Sequence, residues 1–166
     1  MDMLDDAILV TAAGYQELEQ ELQELTANGR RRMNERLREA RLGGDIADNP
    51  AVVELLEEQL QLEARIASLS AKLAAAQIAE PPADGCAGVG SAVRVRHLES
   101  GDIAEYELVG PIEPRVGHRR VSVAAPVGRA LLGRRTGALV EVATPRGQHA
   151  LEVLSVRRAG LVEEAA

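Results

Sequence analysis

Two long stretches with an apolar residue at every third or fourth position are followed, after a double proline, by short runs in which apolar and polar residues alternate. That order predicts helices first and strands second. In the first stretch Thr11 can cap a helix whose apolar positions are Leu18, Leu22, Leu25, Met33, Leu37 and Ala40. The stripe is narrow and flanked by Glu, Gln and Arg, the pattern of a coiled-coil seam and not of a helix sunk in a globular core. A second helix is predicted from a cap at Asp48 or Asn49, with Pro50 as its first helical residue. Its seam reads Leu55, Leu62, Ile66, Leu69, Leu73 and Ala76. Each helix is about 30 residues, hence roughly 45 Å long. The connection around Gly43, Gly44, Asp45, Ile46 and Ala47 is short, so the two should fold back antiparallel with a tip near residue 45.

Pro81-Pro82-Ala83-Asp84-Gly85 ends the helical pattern, because Pro-Pro cannot continue a helix and Asp-Gly favours a turn. Beyond it, residues 89–96, 103–109, 120–123, 139–142 and 151–156 read as strands between Gly and Pro turns. Residues 127–132 suit a short helix. The expected organisation is a hairpin over 1–80 with its tip at 44–49, a linker over 81–88, and a small domain over 89–160. The fold class is α+β: an antiparallel coiled-coil hairpin plus a β-rich C-terminal domain.

Composition narrows the chemistry. Aromatic residues are 1% of the chain, with two Tyr and neither Phe nor Trp, so any core must be built from Leu, Val, Ile and Ala. A single cysteine, Cys86, excludes an internal disulfide and suits a reducing compartment. The N-terminus lacks a basic region before its short apolar run, and no stretch approaches the roughly 20 apolar residues of a membrane helix. A cytoplasmic, monomeric protein with no membrane association is expected. The net charge is −7, but residues 1–80 carry 16 acidic and 8 basic side chains while 81–166 carry 10 and 11. The acidity lies in the helical half.

Two features of that half invite a function. Asp45 and Asp48 place two carboxylates at the tip; the ordinary reading is a helix cap and a solvated turn residue. Arg30, Arg31, Arg32, Arg36, Arg38 and Arg41 form a basic cluster on the distal half of the first helix, which could equally be a solvated face paired with nearby acids. His97, His118 and His149 are scattered without ligand spacing, so no stably bound metal is expected.

Several motifs, taken in order, resemble the GreA/GreB transcript cleavage factors over nearly the whole chain. They are Thr11-x-x-Gly14, Glu39-Ala40-Arg41, Gly44-Asp45-Ile46-Ala47-Asp48-Asn49, and Leu73-Ala74-Ala75-Ala76-Gln77-Ile78 closing the second helix. The second domain adds Ala125-Pro126-Val127-Gly128-Arg129-Ala130-Leu131-Leu132-Gly133 and Thr144-Pro145-Arg146-Gly147. The resemblance implies a coiled coil that enters the secondary channel of bacterial RNA polymerase and a C-terminal domain similar to FK506-binding proteins that holds the channel mouth. Asp45 and Asp48 would help the polymerase retain a second Mg²⁺ and orient water for cleavage of backtracked RNA. The arginine cluster would face the RNA 3′ segment through salt-sensitive phosphate contacts. Pro126, Arg129, Leu131 and Leu132 are the candidate polymerase grip; the ordinary alternative is a short helix closing the core with both leucines buried. The factor itself would not be an enzyme, and Mg²⁺ would belong only to the polymerase active centre.

The chain departs from the family pattern at the tip. Asp48 stands where Glu is usual, so its carboxylate reaches one methylene less far, and metal assistance depends on placement. Val52 stands where an aromatic residue is common, and Pro50 stiffens the exit from the turn. These departures favour an inhibitor that occupies the channel over a stimulator of cleavage. The rival enzyme reading, a peptidyl-prolyl isomerase, wants an aromatic-lined pocket, and the second domain offers only Tyr106. A plain coiled-coil adaptor would bind no polymerase. A Gre-like regulator of nucleoside diphosphate kinase would carry shorter helices.

Overall fold

The computed structural model describes residues 7–43, 49–113 and 119–160. Two compact units result, one spanning residues 16–75 and the other combining 7–15 with 76–160 among the described residues.

The first unit is a helical hairpin. One arm runs as α1 (Ala12–Glu24), a π-helical segment (Leu25–Gly29) and α2 (Arg30–Leu42); the other is α3 (Pro50–Ala75). The π segment has a cause in the seam. Leu25, Gly29, Met33 and Leu37 are each four residues apart, and every such step overshoots a 3.6-residue turn by about 40°. A stretch of wider i→i+5 turns takes back that drift and returns the stripe to α3. Met33, Leu37 and Leu55 form the buried contact, with Ala40 and Leu62 packed against it. Val52, Ile66, Leu69 and Leu73 continue the buried line along α3. Val52 was not among the expected seam residues, yet only 1% of it is exposed. Pro50 does open α3, and the side-chain oxygen of Asn49 accepts the Ala51 N–H at 3.1 Å, so Asn49 caps that helix.

Helix α3 stops one residue short of the expected seam end. Ala76 belongs instead to β2 (Ala76–Ile78), which pairs in parallel with β1 (Ile8–Val10) in the register Ile8 with Ala76 and Val10 with Ile78. The expected helical run to Ile78 therefore ends at Ala75. Parallel strands need a long crossover, and here the whole hairpin is that connection. The pair satisfies backbone groups that a fraying helix end would leave open: Ala79 N–H donates to Val10 C=O at 2.8 Å.

The second unit is built on five strands: β3 (Ser91–His97), β4 (Ile103–Val109), β5 (Arg120–Ser122), β6 (Leu139–Thr144) and β7 (Gly147–Arg158), in the order β5-β4-β3-β7-β6. The β4–β5 pair is parallel and the others antiparallel. Alternation sorts the faces, with Val93 and Val95 buried and Arg94 and Arg96 turned away. Val93, Val95, Leu108, Val140, Leu151 and Val153 form an aliphatic core. It is closed by Leu131 of α4 (Pro126–Leu131). The α+β expectation holds, and all five expected strands are present. Residues 81–88, expected as a linker, lie against this unit: Ala87 is buried, and its N–H and C=O bond Arg134 C=O and Gly133 N–H.

Candidate functional site

Asp45 and Asp48 lie outside the described residues, so the structure assigns the tip carboxylates no geometry. The arm leading to them is described, and it alters the reading of the arginine cluster. Arg30 grips Glu63 of α3 through both carboxylate oxygens, at 2.8 and 2.7 Å. Arg36 does the same to Glu58, at 2.5 and 3.2 Å. Lower down, Arg65 of α3 pairs with Glu21. Arg32 pairs within its own arm, with Glu24 at 3.2 Å. Three of these four pairs cross between the arms and fix their register.

The carboxylates respond. The hydrogen bond from Arg36 holds Glu58 below the usual carboxylate range, and that from Arg30 does so for Glu63. Glu24 is lowered first by Asn28 and then by Arg32. Half of the cluster is thus neutralised by the hairpin's own glutamates. Arg31 donates to the side chain of Asn28, at 3.2 Å, and forms no salt bridge among the described residues. Arg38 and Arg41 are exposed and have no ion-pair partner among the described residues. Arg31, Arg38 and Arg41 fall on one flank of the arm, and they are the arginines of the cluster without a salt bridge among the described residues.

In the second unit α4 divides the expected grip. Pro126 starts the helix, and Pro126, Arg129 and Leu132 are exposed. Leu131 is fully buried in the sheet core, so it cannot be a contact residue; Leu132, on the ordinary reading a second buried leucine, is 46% exposed. Gly128 is needed because a Cβ there would lie 2.0 Å from the Ser122 carbonyl oxygen. Leu132 also borders a largely apolar cleft of about 710 Å³, lined by Ile8, Leu9, Pro82, Cys86 and Val123 among others. At its rim Arg135 donates to the Cys86 sulfur and to Asp84, each at 3.2 Å. The Cys86 backbone N–H, first, and then its thiol hold the Asp84 carboxyl below its ordinary value.

The feature that sequence reading missed is Glu113. Its side chain is fully buried, and Oε1 accepts the N–H groups of Thr11 at 2.6 Å and Gly110 at 2.7 Å. Oε2 accepts the Thr11 hydroxyl at 2.6 Å and lies 3.7 Å from Arg120. The same hydroxyl oxygen accepts the Gly14 N–H at 3.0 Å, which is the expected helix cap. A Cβ at Gly14 would sit 2.0 Å from the Glu113 carboxylate, so the Thr11-x-x-Gly14 spacing is one cap plus one vacancy for a distant acid. Only the buried charge, set in a loop, could have signalled it. His97 and His149, apart in sequence, border one small cavity with Glu99 and Ser100. Among the described residues no group of three or more His, Cys, Asp or Glu could hold a metal ion, and no helix is long and apolar enough to cross a membrane.

Comparison with known proteins assigns both units. Residues 8–78 match the family described as transcription elongation factor, N-terminal, and residues 82–158 match transcription elongation factor, GreA/GreB, C-term. Transcription elongation factor GreA of Syntrophobacter fumaroxidans is 37% identical over 150 residues, covering 89% of this chain and 96% of that protein. Its counterpart in Alkaliphilus oremlandii is 38% identical over 158 residues, covering 94% and 99%. Among solved structures, GreA factor homolog 1 of Thermus thermophilus is 29% identical, with a TM-score of 0.42 and coverage of 91% and 99%. With both halves matched in order and relatives covered almost end to end, this chain belongs to the GreA/GreB family of transcription elongation factors.

Proposed function

We propose that the chain binds bacterial RNA polymerase through its second unit and inserts the hairpin into the secondary channel, acting on elongation chiefly as an inhibitor. The carrying observation is that one chain combines a hairpin arm of 26 residues in α3 with an exposed Pro126–Arg129–Leu132 face beside an apolar cleft. A face of this kind offers an apolar anchor with a charged rim, a composition suited to protein contact. Arg31, Arg38 and Arg41 supply the cations that the RNA 3′ segment would meet. The inhibitory sign is supported by Asp48, one methylene shorter than Glu, and by Val52, a buried aliphatic residue where the family pattern has an aromatic. Such a factor acts as a monomer on the polymerase, holds no cofactor of its own and catalyses nothing alone.

A second reading, stimulation of the polymerase's own cleavage of backtracked RNA through Asp45 and Asp48, is favoured by the relatives named transcription elongation factor GreA. Stalled elongation complexes separate the two. On the inhibitory reading the protein releases no dinucleotide and lowers multi-round transcript yield, and Arg129→Glu with Leu132→Glu abolishes the effect. Robust dinucleotide release that is lost in Asp45→Ala overturns inhibition in favour of cleavage. Failure to bind polymerase at all overturns both.

A further inference from the structure

The hairpin carries a second apolar stripe, on the side of α3 turned away from the seam. Val53, Leu56 and Leu60 are all exposed, Leu60 by 72%. The stripe continues at spacings of three and four through Ala64, Ala67, Ala71 and Ala74, exposed likewise. At 3.6 residues per turn these seven positions fall in a sector about 80° wide, roughly 130° around the helix from the buried line of Val52, Leu55, Ile66, Leu69 and Leu73. An exposed face of a two-helix hairpin ordinarily carries charge there. Here the large residues occupy one half of the stripe and the alanines the other.

We propose that this stripe is a self-association surface, by which two copies of the chain pack α3 against α3, antiparallel, about a two-fold axis between positions 63 and 64. Both size and charge select that partner. About this axis Val53 meets Ala74 of the second copy, Leu56 meets Ala71 and Leu60 meets Ala67, so every large side chain faces a small one. Ala64 packs beside its own counterpart, where the backbones approach. Such an interface is isologous and closes on itself.

The flank agrees. Glu54, Glu57 and Lys72 lie on the same edge of the stripe, and none has an ion-pair partner among the described residues. Antiparallel pairing brings like edges together, placing Lys72 of each copy against Glu54 and Glu57 of the other. Glu63, near the axis on the opposite edge, is already paired to Arg30 of its own chain at 2.7 Å. Parallel pairing would set Leu60 on Leu60 and Ala67 on Ala67, mismatching size, and would bring unlike edges together, so that Lys72 no longer meets Glu54 and Glu57. The inference rests on α3 alone and stands whichever sign of transcriptional effect holds.

Sedimentation equilibrium of the full chain tests it. The expected mass rises with concentration to twice the 17.7 kDa of one chain. Leu60→Glu, on a residue already in water, leaves helix content unchanged by circular dichroism and holds the single-chain mass. Lys72→Glu weakens association about tenfold, and adding Glu54→Lys with Glu57→Lys restores it. In a Cys86→Ser background, Ala64→Cys cross-links to its own copy on oxidation, whereas Leu56→Cys does not. A single-chain mass at every concentration up to about 1 mM overturns the proposal. So does a dimer that survives Leu60→Glu, or equal cross-linking at positions 56 and 64.

Discussion

The hydroxyl of Thr11 donates to the carboxylate of Glu113 at 2.6 Å across 102 positions of sequence, while the same oxygen caps the first helix through Gly14. One side chain thus ends β1, starts α1 and ties both to the loop after β4. The acceptor is a charged group with no exposure, whose burial is tolerated because donors surround it.

Removing the acceptor should be costly. Glu113→Ala strands the Thr11 N–H, the Thr11 hydroxyl and the Gly110 N–H, each buried donor costing about 1–3 kcal/mol when unpaired. A fall in Tm of roughly 10 °C is expected in thermal unfolding of a chain this size. Thr11→Ser, which keeps the hydroxyl, should lose far less than Thr11→Val. A larger loss in Thr11→Ser, which drops only the methyl group, than in Thr11→Val, which keeps it, would show that packing and not the hydrogen bonds holds Thr11 in place.

Two glycines near that carboxylate are steric requirements. A Cβ at Gly110 would stand 1.9 Å from the Leu9 carbonyl oxygen, and one at Gly14 would enter the Glu113 carboxylate. Alanine at either should destabilise by about 1–3 kcal/mol or more, despite alanine's better helix propensity at position 14. Denaturant midpoints at constant slope measure this directly. A stabilised Gly14→Ala would refute the close approach.

The cross-arm pairs make an acid prediction. Glu58 and Glu63 titrate below their ordinary value in the folded hairpin because Arg36 and Arg30 bond them. A carboxylate depressed by folding contributes stability above its unfolded pKa and loses it as pH falls through the folded one. The hairpin should therefore weaken below about pH 4.5, and the drop should flatten in Glu58→Gln with Glu63→Gln. Both groups are exposed, so salt should blunt the effect as well. Helix content followed against pH at low and high salt checks both claims.

Adjacent leucines should behave oppositely. Leu131→Ala opens a cavity beneath the sheet and should cost about 2–5 kcal/mol. Leu132→Ala should leave Tm within about 1 °C and instead weaken polymerase binding, since that side chain is half exposed at the cleft. Pull-down and calorimetry on the same two variants distinguish the roles. A binding defect confined to Leu131→Ala would refute the assigned face.

Periodicity made much of the chain legible. Apolar residues every three or four positions announced both arms, Pro50 and Asn49 marked where the second begins, and alternation placed five strands, although the last begins at Gly147, four residues before its expected start. What escaped had no period. The three-residue strands β1 and β2 are too short to alternate, and each forms only because the other is adjacent. The burial of Val52 also escaped, because its helix had too few preceding turns to reveal the stripe.

The sequence by itself determined a helical hairpin followed by a β-rich unit, and its ordered motifs pointed to the family. Only the tertiary structure decided which charges are engaged. Arg30, Arg32 and Arg36 are matched by glutamates while Arg38 and Arg41 have no ion-pair partner among the described residues, and an acid at position 113 serves a threonine at position 11. Local patterns follow from steric repeats along one element, which the order of residues carries directly. Ion pairs and buried hydrogen bonds depend on distances between elements, and those distances exist only once the chain has closed on itself.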